Sequence, residues 1–392
     1  MRHVGVLGGT FDPIHAGHLA LARAALTVGD LDEVLLAPAG CPPHKKGVSA
    51  PASARLDMCR LAVAGEERIR VTTLDMRREP SYTLHLVRRL MREYPDTAFT
   101  FLTGADKLRS MPHWEGAREL FVLCDFLCFP RPGEDMTKPL LKLEKAGARV
   151  RLAPMMPLTV SSLGVREAVA RGEESADVPD AVMDFIAMNG LYRPNYLPRL
   201  REMMNERRFR HTLGVRKTAV ELARRFSLPV LKAAEAGVLH DCAKGMSVRE
   251  QRKIAEKHGL TSDEGVLSSG ALMHGMVGAV LAQELFGVRD EEVLDAIRYH
   301  TTGRAGMTDL DMCIFVADAI EPTREDYEGL AWMRYLAQYS LRAATLASLY
   351  GTRAYLEGQG KPFNSAGQKT IEDLEKRLSE AEKALLGQRG PV

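Results

Sequence analysis

His15 and His18 lie three residues apart in a short stretch that also holds Gly8, Gly9, Thr10, Phe11 and Asp12. An apolar run at 4–7 comes before it and an alanine- and leucine-rich run at 19–26 after it, which predicts strand, turn and helix. Two glycines predict a tight turn at which a bulky anion approaches the backbone closely. Histidines at i and i+3 predict one face of the helix's first turn, aimed at whatever the N–H groups and positive dipole end hold. A nucleotide triphosphate is such a group.

The second half of the chain carries a different set. His211, His240, His274 and His300 fall in separate helical patterns or at their ends. Asp241 follows His240 directly, and Asp318 sits in an apolar stretch. Imidazole with carboxylate suits Fe, Mn or similar divalent ions rather than a thiolate-rich zinc site. So many ligands exceed the needs of one catalytic ion and predict two ions bridged by a carboxylate and water, suited to cleaving a phosphoanhydride.

Positioning these groups takes more than one ordinary core. At 392 residues the chain predicts two domains or more. Strands are expected at 4–7, 33–37, 70–74, 98–103, 126–129 and 149–152, with helices at 52–64 and 83–93 between them. This βαβ rhythm over 1–190 predicts a Rossmann-like α/β domain with a mainly parallel sheet, binding ligand at the strands' carboxyl ends. Gly190 and the two prolines after it mark 191–198 as a linker. Residues 199–360 read as all-α, with helical patterns at 199–226, 230–241, 248–258, 272–286, 291–299 and 312–320. The tail 361–392, with Glu372, Lys376, Glu380, Glu382 and Lys383, reads as a charged helix facing solvent or another copy in a homo-oligomer.

Composition narrows the classes. The 53 basic and 51 acidic residues leave a net charge of +2, which argues against a nucleic-acid footprint. Arg207, Arg208, Arg210, Arg216 and Lys217 form a local basic cluster without that excess. No apolar run reaches the ~18 residues of a membrane span, and the N-terminus runs straight into a strand, so no membrane partner and a cytoplasmic location are expected. Cys41, Cys59, Cys124, Cys128, Cys242 and Cys313 form no C-x-x-C pair and read as reduced and mostly structural.

The stretch His15-Ala16-Gly17-His18 resembles the H-x-G-H signature of the nucleotidylyltransferase superfamily. Later segments resemble nicotinate-nucleotide adenylyltransferase in particular. Pro42-Pro43-His44-Lys45 has an extended backbone from which His44 and Lys45 can grip a phosphate. Ser81-Tyr82-Thr83 matches the family's S-Y-T element, which implies that Tyr82 and Thr83 help hold the pyridine nucleotide. Gly104-Ala105-Asp106-Lys107-Leu108 matches G-x-D-x-L, with Asp106 placed to accept hydrogen bonds from a ribose or an adenine edge. The resemblance puts Trp114, one turn beyond Asp106, beside the nicotinate ring. Arg131-Pro132-Gly133 fits as well. Val160-Ser161-Ser162-Leu163-Gly164-Val165-Arg166 departs from the family's I-S-S-T-x-I-R at Leu163, where one phosphate-binding hydroxyl is lost, while Ser161, Ser162 and Arg166 are kept.

The resemblance implies that the phosphate of nicotinate mononucleotide attacks the α-phosphorus of ATP and pyrophosphate leaves. Positioning and charge stabilisation dominate such chemistry. His15 and His18 would stabilise the pentavalent centre, Lys45 and Arg166 would neutralise charge, and Mg²⁺ would accompany ATP.

The order H…HD…H…H…D resembles the HD-domain phosphohydrolases, with His211, His240, Asp241, His274, His300 and Asp318 as metal ligands. Arg210-His211-Thr212-Leu213-Gly214-Val215, His240-Asp241-Cys242-Ala243-Lys244, His300-Thr301-Thr302-Gly303 and the run from Ala317 to Arg324 resemble symmetrical diadenosine tetraphosphatase of the HD type. That resemblance covers 195–360 and implies hydrolysis of diadenosine tetraphosphate to two ADP, with Asp241 and Lys244 in catalytic roles and Arg324 on the polyphosphate. Two other readings stand beside this one: an adenylyl acceptor such as phosphopantetheine, and a helical half that senses nucleotides without turnover.

Overall fold

The computed structural model describes residues 1–43, 48–130, 136–154 and 160–388. The chain divides into two compact units, Met1–Ile186 and Ala187–Val392.

The first unit is built on a six-stranded sheet of β1 (Arg2–Gly9), β2 (Glu33–Pro38), β3 (Ile69–Val71), β4 (Thr97–Gly104), β5 (Asp125–Phe129) and β6 (Val150–Leu152). Every pairing is parallel, in the order β3-β2-β1-β4-β5-β6. Parallel strands need helical crossovers, and covering both faces makes the central strands apolar throughout; all of β2 is buried. The order reverses between β1 and β4, so the loops leaving their carboxyl ends diverge and open a crevice there. Gly8 to His18 and Gly104 to Trp114 leave from those two ends.

The glycines differ from expectation. Gly8 and Gly9 are not the turn but the last rungs of β1, in register with Ala37 and Pro38. A Cβ would meet the Phe101 ring at 3.0 Å from Gly8 and the Phe11 ring at 3.0 Å from Gly9. Missing side chains here admit two aromatic rings onto the strand end, which is a packing role. The chain turns at Phe11, whose φ is +49° and which is 1 % exposed.

Among the described residues the second unit is helical. Helices Glu206–Arg225, Val230–Leu239, Gly270–Phe286, Glu291–Tyr299 and Asp309–Ile320 pack on one another. The single pattern expected over 199–226 is broken at Asn205, whose side chain caps the second helix by accepting from Arg208 N. The charged tail is also corrected. It forms helices Ser365–Arg377 and Glu380–Gly387, and the first buries Thr370, Ile371 and Leu374 against the unit. Its charges hide a three- to four-residue apolar repeat that only a packed helix uses.

No helix among the described residues is long and apolar enough to cross a membrane. Burial pushes the Cys59, Cys124, Cys242 and Cys313 thiols up to about 12, which suits core packing.

Candidate active sites in the two units

In the first unit a cavity of about 710 Å³ opens over the ends of β1 and β4. His15 does not share a helical turn with His18 as expected. It is the N-cap of helix Ala16–Val28, with extended backbone, and His18 is the third helical residue. The rings still meet: they stack with centroids 3.8 Å apart, and the Phe11 edge closes on His18 at 4.9 Å. His15 N donates to His18 Nδ1 at 3.3 Å, so in neutral His18 the proton is assigned to Nε2. A Cβ on Gly17 would lie 3.1 Å from the His15 ring and 2.9 Å from Val160. The glycine is what lets the His15 ring fold back.

Several predicted side chains serve the loops. The Asp12 carboxylate accepts from Ser49 N at 2.9 Å and Ala50 N at 3.1 Å, so it fastens the 48–50 loop. Ser161 Oγ accepts from Gly164 N, and Ser162 Oγ donates to Pro13 O at 2.9 Å. Arg166 donates to Asp12 O at 2.7 Å, which brings its guanidinium to the cavity wall. Gly8, Gly9, Thr10, Phe11, Asp12, Thr83, Gly104, Asp106, Ser161 and Ser162 all line the cavity. Tyr82 does not. It precedes helix Thr83–Glu93 and sets its ring edge against His85, whereas Ser81 and Thr83 reach the cavity. Trp114 lines it too, from beyond a separate 3-10 turn, Met111–His113, rather than one turn past Asp106. His44, Lys45 and Arg131 lie outside the described residues.

Two residues were not foreseen. Arg55 is 1 % exposed and donates to Thr10 O, Gly40 O and Ala50 O, so one buried guanidinium joins the loops after β1 and β2. Its spacing from Met58 and Cys59 on one helical face was the available signal. Asp75, also in the cavity wall, is raised to about 6 by burial, against the Ser81 hydrogen bond and the Arg89 charge. Nothing local marks it.

In the helical unit all the expected ligands converge. His211 and Asp318 come from helices Glu206–Arg225 and Asp309–Ile320, and His274 from Gly270–Phe286. His240 and His300 are C-terminal caps of Val230–Leu239 and Glu291–Tyr299. Asp241 divides its oxygens between two histidine pairs. Oδ2 lies 3.4 Å from His240 Nε2 and 3.8 Å from His211 Nε2; Oδ1 lies 3.2 Å from His274 Nε2 and 3.7 Å from His300 Nε2. Asp318 Oδ1 is 2.9 Å from His211 Nε2.

The tautomers follow from the opposite ring nitrogens. Nδ1 of His240, His274 and His300 faces Gly237 O, Gly270 O and Ile297 O at 2.8, 3.2 and 2.7 Å. A carbonyl only accepts, so each Nδ1 carries the proton and each Nε2 turns a lone pair to the centre. Burial lowers the His274 pKa to about 4, which keeps that ring neutral. His274 and His300 therefore set two lone pairs 3.0 Å apart. His211 Nε2 and His240 Nε2 are buried without a hydrogen-bond partner among the described residues; the close approach of Asp318 is out of line for one. Burial alone would raise the carboxyl of Asp241, yet it is held well below the usual range and is anionic. Asp318, beside the Arg324 guanidinium, is likewise held low against burial. Inward lone pairs around anionic carboxylates fit divalent cations. His211, His240 and Asp318 form one possible ligand group, and His240, Asp241 and His300 a second.

Charged residues rim the cluster. Arg208 donates to Asp241 Oδ2 at 2.6 Å, and Arg324 pairs with Asp318. Lys244 Nζ lies 3.3 Å from both His274 ring nitrogens, its pKa lowered chiefly by burial. Glu321, fully buried and not foreseen, accepts from His211 Nδ1, Thr323 N and Thr323 Oγ1. Its place three residues after Asp318 on the same helical side was the signal. A cavity of about 720 Å³ lined by Arg207, Arg208, His211, Arg324 and Tyr327 leads to the cluster.

Comparison with known proteins agrees with this division. The Cytidylyltransferase-like family model matches residues 6–168, and the HD domain model matches 208–323. A Synechococcus protein (strain JA-3-3Ab) named probable nicotinate-nucleotide adenylyltransferase is 40% identical over 196 residues, which cover 49% of this chain and 95% of that protein. The chain belongs to the nicotinate-nucleotide adenylyltransferase family. Its helical unit adds an HD domain to that family's domain. A relative from Mycoplasma genitalium, named probable nicotinate-nucleotide adenylyltransferase/Ap4A hydrolase, is 29% identical over 351 residues, 88% of this chain and 96% of its own. A solved structure from Clostridium acetobutylicum, described as a predicted HD superfamily hydrolase involved in NAD metabolism, is 34% identical, with a TM-score of 0.45. The match covers 46% of this chain and 96% of that one.

Proposed function

We propose that this chain is a bifunctional enzyme. The unit over 1–190 transfers the adenylyl group of ATP to nicotinate mononucleotide, giving nicotinate adenine dinucleotide and pyrophosphate. The HD unit over 199–360 hydrolyses diadenosine tetraphosphate symmetrically to two ADP. One observation carries the reading: each unit holds its own phosphate chemistry, stacked histidines over a strand-end cavity in one and inward histidine lone pairs in the other. The two-part name of the Mycoplasma genitalium relative supports the pairing. Neither phosphopantetheine transfer nor sensing without turnover has that support.

In the adenylyltransferase unit the acceptor's phosphate is already a nucleophile, so no protein base is needed. His18 presents Nε2–H and, with His15, meets charge developing on the α-phosphate. Arg166 and Lys45 balance the departing pyrophosphate. Trp114 and Thr83 hold the pyridine nucleotide from the cavity wall, and Asp106 takes the ribose or adenine edge. Mg²⁺ enters with ATP, held mainly by its phosphates.

In the HD unit His211, His240, Asp241, His274, His300 and Asp318 would hold two divalent ions, Fe or Mn, which supply Lewis acidity and an activated water when bound. Asp241, with an oxygen toward each histidine pair, would serve as a ligand on both sides of the cluster. Arg324 and Arg208 neutralise the polyphosphate in the cavity, with Lys244 behind them against His274. A cytoplasmic location fits both proposed substrate sets.

Purified full-length protein, assayed for both reactions with metal analysis, tests the reading beside His18→Ala and Asp241→Ala. Each substitution is expected to remove one activity, about 10²-fold or more, and spare the other. Binding of diadenosine tetraphosphate without ADP release would overturn the hydrolase half; preference for phosphopantetheine would overturn the transferase half.

A further inference from the structure

A second, smaller cavity in the helical unit, about 40 Å³, is walled by residues of 187–197 and by helices Glu206–Arg225 and Val230–Leu239. By this measure a water needs about 10–15 Å³, so the space suits one compact polyatomic ion and excludes a nucleotide. Arg216 lines it. Its Nε is buried without a partner, and among the described residues its guanidinium makes neither a hydrogen bond nor an ion pair.

The other charges in this wall are answered. Glu235 meets Arg193 at 2.5 Å and the Tyr196 hydroxyl at 2.6 Å. Arg216 is left as a mostly buried cation without counter-charge, which is costly in a low-dielectric site. Burial lowers its pKa to about 10, so it remains charged at neutral pH. The wall is shaped around it. Gly190 has φ +62°, and a Cβ there would come within 3.1 Å of Arg216 Nη1. Asn195, in the same wall, uses Oδ1 to accept from Leu197 N, which leaves its amide N–H groups as donors.

We propose that this cavity is a binding site for a small oxyanion of the phosphate or carboxylate class, with Arg216 as counter-charge and the Asn195 amide as a second donor. The site is distinct from the metal cluster, none of whose ligands line it. It stands independently of the proposed activities.

The test uses the full chain with inorganic phosphate as the solution probe and selenate as the diffraction probe. Melting of the helical unit is followed in phosphate against chloride at matched ionic strength, for wild type, Arg216→Lys and Arg216→Met. Phosphate binding elsewhere appears equally in all three, so the difference between them reports this cavity. The expected result is a phosphate-dependent upward shift in wild type and Arg216→Lys, its loss or reduction in Arg216→Met, and a selenate anomalous peak within hydrogen-bond distance of Arg216. An equal shift in Arg216→Met, or a cavity holding only water in selenate-soaked crystals, overturns the proposal. If Arg216→Met fails to fold, the selenate map decides.

Discussion

Glu321 accepts the Nδ1 proton of His211 at 3.0 Å, which makes His211 the one clustered histidine backed by a carboxylate; His240, His274 and His300 are backed by carbonyls. A carboxylate behind an imidazole raises its basicity as a ligand. Gly214 makes the contact possible, since a Cβ there would stand 2.3 Å from Glu321 Oε2. Glu321→Gln keeps an acceptor and removes the charge. We expect a roughly 10–100-fold loss of affinity for one of two bound ions, read as a drop in metal stoichiometry on titration with a chelator. Unaltered metal content would count against the role.

Gly17→Ala pits helix propensity against site geometry. Alanine favours a helix by up to about 1 kcal/mol, yet its Cβ would press on the His15 ring and Val160. Stability should change little while kcat for adenylyl transfer falls about 10–100-fold, with diadenosine tetraphosphate hydrolysis unaffected. Steady-state kinetics of both reactions settle it, and a wild-type kcat would show that the ring stacking is dispensable.

Asp75 gives the first unit a pH dependence of defined sign. Burial raises its pKa from 3.8 to about 6, so the folded state favours the neutral acid. Its contribution is fully present below pH 3.8 and is lost as pH rises to about 6, amounting to roughly 3 kcal/mol. Asp75→Asn should therefore raise the melting midpoint of the first unit above pH 6 and lose that advantage near pH 4. Calorimetry across this range measures it; destabilisation of the variant above pH 6 would mean that the Arg89 contact outweighs burial.

Leu163 is 56 % exposed at the cavity edge, two residues after the Ser161 cap. Leu163→Thr restores a hydroxyl there. One hydrogen bond of about 0.5–1.5 kcal/mol predicts a KM for ATP lower by about two- to tenfold, with kcat little changed. An unchanged KM would place the triphosphate elsewhere.

Much of this was legible because it depends on local periodicity. Alternating apolar runs located all six strands, and helix Thr83–Glu93 could be bounded to the residue because Tyr82 precedes its amphipathic repeat. The convergent histidine–aspartate set of the HD unit was legible because histidines recur in separate helical patterns, where solvation or packing alone is a poor explanation. The use of Asp12, Tyr82 and the glycines was not legible. Their partners, Ser49, His85, Phe101 and Phe11, are set by how loops and rings pack at the strand ends.

The sequence by itself determined which residue types were available: two histidines at a strand-to-helix junction, and a histidine–aspartate set spaced along a helical chain. Both follow from short-range pattern, since side-chain period dictates element type. Only the tertiary structure decided which oxygen of Asp241 faces which histidine pair, that Glu321 stands behind His211, and that Arg55 ties the first unit's loops together. Those relationships join residues up to 110 positions apart, and a contact across that distance exists only once helices and strands have buried their apolar faces.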